Sequence, residues 1–180
     1  MLRTTLLVSL SLFVIPACHK KDEPTGASPS ASPTEPGAAP AKLAYQKLGS
    51  LPLEAEIPSD ANVDDSTKSA GFPSVTVYAQ PTTFIFGPGD MSDVKPTIEE
   101  TKDRVAKEVD AFKGFTREDK TADGWILEGA GESMIDKKPL YTVSVRRTIA
   151  GVPYDCGTNA DTKDEIARAE KLCQSLRAAK

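Results

Sequence analysis

Hydrophobic positions follow three different patterns along the 180 residues. The first is a run: Leu6 to Ile15 is apolar apart from Ser9 and Ser11. These ten positions are too few to cross a bilayer, which takes roughly 20. The run follows a single cation, Arg3, and precedes Ile15-Pro16-Ala17-Cys18. That is the pattern of a secretory signal, expected over residues 1–17. The second pattern is an absence of periodicity, from His19 to Lys42. These 24 residues hold five prolines and no large apolar side chain, too little apolar surface to offset the entropy of ordering. Residues 18–42 are therefore expected to form a disordered tether, roughly 25–30 Å across as a coil. The third pattern, alternating periods of two and of 3.6, begins near Leu43 and predicts one globular domain over 43–180.

Within that domain Leu51, Leu53, Ala55 and Ile57 alternate with Pro52, Glu54, Glu56 and Pro58. This predicts a strand with one wet face, its prolines suiting an end or an edge. Ser59 to Gly71 is polar and reads as a turn-rich connection. Val75, Val77 and Tyr78 predict a second strand, and Thr82 to Phe86 a third, stopped by Gly87-Pro88-Gly89-Asp90. Pro96 suits a first helical position. Ile98, Thr101, Val105, Val109 and Phe112 then follow at helical spacing, and Gly114 is a natural stop. The prediction is an amphipathic helix of about eighteen residues, or about 27 Å.

Phe115–Lys120 and Trp125–Glu128 pair as a hairpin about Asp123-Gly124, a strong turn signal. Gly129-Ala130-Gly131 and Asp136-Lys137-Lys138-Pro139 bracket a further connection. Leu140 to Ile149 alternates as a long strand, Ala150-Gly151-Val152-Pro153 turns the chain, and Val152–Cys156 is a last strand. Thr162-Lys163-Asp164-Glu165 matches a capping box. Ile166, Ala169, Cys173 and Leu176 continue from it as the buried stripe of a closing helix. The element order predicts the α+β class: an antiparallel sheet with two main helices packed on it.

Charge narrows the field. The formal net charge is −4, and removing residues 1–17, whose one charge is Arg3, takes it to −5. A mildly acidic chain lacks the basic surface that nucleic-acid binding needs, so no nucleic-acid partner is expected.

Ile15-Pro16-Ala17-Cys18 places an aliphatic residue three positions before a cysteine and a small residue directly before it. This resembles the lipobox of bacterial lipoproteins. The resemblance implies cleavage between Ala17 and Cys18 and a diacylglycerol on the Cys18 thiol. It also implies a palmitate-type acyl chain and a cell-envelope protein facing the periplasm. Two acyl chains already give stable anchoring, so the membrane partner would be met by the lipid alone. His19 rather than Asp follows Cys18, which by the same resemblance favours the outer membrane over the inner. With Cys18 lipidated, Cys156 and Cys173 remain as a pair in an oxidising compartment, where a disulfide is the default.

The order of elements, the Asp123-Gly124-Trp125 hairpin and the strand–Cys156…Cys173–helix ending resemble the PsbP-like α/β/α sandwich over about Leu51 to Ala179. That resemblance implies a binding or assembly module without catalysis and transfers no functional residue.

Candidate chemistry is mostly excluded. The one histidine, His19, lies in the tether, which removes Ser-His-Asp, Cys-His and histidine–zinc sites from the domain. Cys156 and Cys173 are not a C-x-x-C pair. Gly87-Pro88-Gly89 and Gly129-Ala130-Gly131 lack the continuation of a phosphate loop. Asp60, Asp64 and Asp65, like Asp90 and Asp93, lack calcium-loop spacing and read as solvated carboxylates. Lys137-Lys138 and Arg146-Arg147 read as surface cations near a hairpin, and Trp125 as a core residue. No catalytic residue, metal or cofactor is expected. The expected function is a non-enzymatic binding or assembly accessory of the envelope, lipid-anchored and engaging an envelope protein partner. The alternative is a carboxylate-dependent envelope hydrolase, which needs two acids converging in a cleft.

Overall fold

The closing helix forms as its capping box predicts. The Thr162 hydroxyl accepts from the Glu165 backbone N–H at 3.2 Å, and the Glu165 carboxylate accepts from the Thr162 N–H at 3.1 Å. Two of the orphan donors of a helix start are thereby satisfied. The helix α3 runs Lys163–Gln174 and buries Ile166, Ala169, Leu172 and Cys173. The computed structural model describes residues 42–88, 97–109, 111–133 and 135–180. The Gly87–Asp90 breaker and Pro96 fall partly or wholly outside these.

In chain order the described elements are β1 (Leu43–Lys47), β2 (Leu53–Pro58), β3 (Asn62–Asp65), α1 (Thr67–Ala70), β4 (Ser74–Tyr78), β5 (Thr83–Phe86) and α2 (Ile98–Glu108). Then come β6 (Gly114–Thr121), β7 (Gly124–Glu132), β8 (Pro139–Ile149), β9 (Val152–Ala160), α3 and β10 (Arg177–Ala178). They form two antiparallel sheets, β1-β2-β10 and β3-β4-β5-β9-β8-β7-β6. Among the described residues no helix is long and apolar enough to cross a membrane.

The α+β expectation, two main helices on one sheet in a PsbP-like sandwich, is corrected here. The described residues are mostly β, with two sheets and three short helices among them. The helix predicted over about eighteen residues has 11, because Val109 is already extended (ψ 112) and Ala111 turns left-handed at φ 44. The strands missed by periodicity are short or wet. β1 has four of five residues exposed, and β3 carries one apolar side chain, Val63. β7 runs through Gly129-Ala130-Gly131 instead of turning there. A Cβ at Gly129 would stand 2.8 Å from Phe112 Cε2 and 3.0 Å from Thr142 Cγ2, so the glycine makes room for Phe112 on the sheet.

Cross-strand register sorts the large sheet into two faces. Val75, Ile85, Cys156, Val145 and Ile126 lie in successive paired positions and share one face. That face is covered jointly by α3 and by Leu53, Ala55 and Ile57 of the small sheet, closing one core. The opposite face carries Phe84, Ser144, Arg146 and Leu127. Over it lies α2, whose Lys102 reaches Glu118 of β6 at 2.7 Å. α2 begins with a second capping box, Thr97 with Glu100.

Candidate functional site

The residues of which the sequence says most, Ala17 and Cys18, lie outside the described residues, as do Asp90 and Asp93. Cys156 and Cys173 are brought together: they form a disulfide with Cα atoms 5.5 Å apart, within the usual span. The register places Cys156 on the face that α3 covers, so the bond pins helix to sheet.

The expected basic cluster is dispersed. Arg146 and Arg147 are neighbours on a strand and so point to opposite faces. Arg146 is buried against Asp155 and lies 4.4 Å over the Trp125 ring. Arg147 bonds Asp123 and the Gln174 carbonyl at the C-terminus of α3. Burial pushes the Asp123 carboxyl up, but the Arg147 bond, the Thr121 hydroxyl and the Arg147 charge outweigh it and hold it below the usual range. Lys138 pairs with Asp136, which is held down to about 2 mainly by that bond. The Asp65 carboxyl is held well below its ordinary value, first by hydrogen bonding from Thr67 and then from Ser50. Asp65 thus closes a loop. Among the described residues no group of three metal-ligating side chains gathers.

Two carboxylates do converge, between β7 and α3. Arg117 donates through one terminal nitrogen to Glu128 at 3.0 Å and to Glu170 at 2.9 Å, and through Nε to Asp119 at 2.6 Å. These bonds raise the Arg117 pKa, Asp119 contributing most. One guanidinium clamping three acids describes an ion-pair hub. A general base needs an open lone pair facing its substrate, and here the shared guanidinium occupies both carboxylates.

A larger, mainly apolar opening lies elsewhere, beside the small sheet. Leu43 pairs with Pro58 and Tyr45 with Glu56 across β1 and β2, so all four share the face away from the core. Ala79 to Pro81, at the β4–β5 turn, form a second wall, and Ala169 and Leu172 of α3 form a third. The groove between them has a volume of about 480 Å³. Its walls are tied together. Ser175 Oγ accepts from the Glu56 N–H at 2.9 Å. The Arg168 Nε–H donates to the Gln80 carbonyl at 3.0 Å. Arg177 stacks 3.3 Å from the Tyr45 ring centre while bonding Glu54 at 2.6 Å. Leu43 and Tyr45 remain 54% and 42% exposed.

Sequence reasoning missed this groove. The available signal was Leu43 and Tyr45, two large apolar residues at strand spacing in an otherwise polar segment. A groove of such size, apolar with a few polar groups on its rim, suits small-molecule binding. No protein-family model matches the chain, and no curated protein matches it.

Proposed function

We propose that the protein is a lipid-anchored binding accessory of the bacterial cell envelope, held by Cys18 and facing the periplasm, with the outer membrane favoured over the inner. The observation that carries this reading is a juxtaposition along the chain. Just 24 residues separate Ile15-Pro16-Ala17-Cys18 from Leu43, and Leu43 stands on the rim of the apolar groove. The Pro-rich residues 19–42 between them have the composition of a spacer. The Arg117 clamp on Glu128 and Glu170 weighs against carboxylate hydrolysis, so binding is the activity proposed. The test is fractionation of cells making the full chain or its Cys18→Ser variant. The full chain is expected in the membrane fraction and the variant in the soluble periplasmic extract. A variant that stays with the membranes would overturn the anchorage.

A further inference from the structure

We infer that the groove bounded by β1, α3 and the β4–β5 turn binds a single-chain anionic amphiphile, its hydrocarbon along the apolar walls and its head group at Arg168 and Lys171. This inference rests on the reading of the domain as a binding module and names its ligand class.

The shape and walls come first. About 480 Å³ falls within the roughly 300–1,000 Å³ of small-molecule sites. Leu43, Tyr45, Pro58, Ala79, Pro81 and Leu172 supply its apolar lining, interleaved with polar and charged residues. An apolar wall left open to water is stabilised by whatever covers it.

Charge decides the head group. Arg168 and Lys171 lie three residues apart on α3, hence on one helix face, and both line the groove. Arg117, Arg146, Arg147 and Arg177 each bind a carboxylate. Arg168 instead spends Nε on a backbone carbonyl, and among the described residues no carboxylate pairs with it or with Lys171. A guanidinium fork beside an ammonium suits a carboxylate or a phosphate monoester. Glu56 stands on the opposite wall, which repels an anion there and sets the ligand's direction.

Other occupants fit less well. A peptide strand beside α3 would have to pair with β2 beyond the two-residue β10, where the Glu56 N–H is already bonded to Ser175 Oγ. A second copy of this chain would need about 800 Å² of complementary surface per partner, and the rim offers two large apolar side chains, Leu43 and Tyr45.

The test titrates decanoate, dodecanoate and tetradecanoate, below their aggregation thresholds, into the full chain carrying Cys18→Ser, which is purified without detergent. Calorimetry is expected to give one site per chain, tightening about tenfold for each two added carbons. Arg168→Gln with Lys171→Gln is expected to weaken dodecanoate about tenfold, and Lys171→Gln alone, which keeps the Arg168–Gln80 bond, is expected to weaken it at an unchanged melting temperature. Glu56→Gln is expected to tighten it. Dodecyltrimethylammonium is expected to bind at least tenfold more weakly than dodecanoate. Dodecyl phosphate separates the two head groups: tighter binding than dodecanoate assigns a phosphate, weaker a carboxylate. Absence of binding up to the solubility limit, indifference to chain length, or equal binding of the cationic amphiphile would overturn the inference. So would a dimer in sedimentation that Leu43→Glu dissociates. Fractionation and titration read different residues, so the anchor and the ligand can fail separately.

Discussion

Arg146 and Asp155 face each other across β8 and β9 and join through two bonds, Nε to Oδ1 at 2.7 Å and a terminal nitrogen to Oδ2 at 3.0 Å. Both residues are buried, at 5% and 4% exposure, and the indole of Trp125 covers the guanidinium. In such a place the fork geometry offsets the cost of removing both charges from water, but neither charge is tolerated alone. Asp155→Asn is expected to lower stability by about 3–5 kcal/mol. Replacing both, Arg146→Met with Asp155→Leu, should cost less than Asp155→Asn alone. Urea denaturation at neutral pH measures all three proteins. A loss below about 1 kcal/mol for Asp155→Asn would show that water reaches the pair.

The Cys156–Cys173 bond closes a segment with a sequence separation of 17. In the chain-entropy account a loop of that length contributes about 3 kcal/mol through the unfolded state. Cys156→Ala with Cys173→Ala is expected to lower the melting temperature by about 10 °C. Reduction of the unsubstituted protein should reproduce the shift, and the double variant should ignore the reductant. A variant that melts like its parent would mean that sheet and helix are held by packing alone.

Local chemistry was legible where a residue acts on its neighbours in sequence. The Thr162–Glu165 capping box and the Leu140–Ile149 alternation appear where the sequence puts them, and the hairpin expected about Asp123-Gly124 forms one residue earlier, with Ala122-Asp123 at its tip and Gly124 already paired to Thr121. What a side chain does at long range was not legible. Lys137-Lys138 and Arg146-Arg147 looked like one surface cluster, yet their partners, Asp155, Asp123 and Asp136, are decided by register and turns. The second sheet was hidden because the two partners of β2 are faint: β1 is mostly exposed, and β10 has only two residues. The groove follows from that sheet, so it too was invisible.

Gly124 lies inside β7, paired with Thr121, and is needed for a reason other than the turn. The two-residue turns that hairpins favour want left-handed backbone, and Ala150 and Gly151 supply it at φ 51 and 79. Gly124 is not left-handed. A Cβ there would stand 2.0 Å from the Arg146 carbonyl oxygen, and one at Gly157 would stand 2.3 Å from the Val143 carbonyl oxygen. Gly124→Ala and Gly157→Ala must therefore push strands apart. At Gly129 the nearest atom belongs to the Phe112 ring, which can move. Gly129→Ala is expected to cost about 1–3 kcal/mol, and the other two more. Thermal melts rank them, and equal losses at all three positions would contradict the assignment to backbone collision.

The Asp123–Arg147 pair predicts how stability depends on pH. The carboxyl of Asp123 is depressed in the folded protein, whereas in the unfolded chain it titrates near about 3.9. A group depressed on folding contributes stability that is fully present above its unfolded pKa and is lost as pH falls through its folded pKa. Asp123→Asn removes that contribution, so the variant should be less stable than its parent at pH 7. The difference should hold down to about pH 5 and then shrink as the parent's carboxylate takes up its proton. Because Arg147 also bonds the Gln174 carbonyl, the variant keeps the anchor to the end of α3, and the comparison isolates the charge. Chemical denaturation of both proteins from pH 7 down to pH 2.5 tests this. A difference that stays constant across that range would assign Asp123 a turn-shaping role independent of its ionisation.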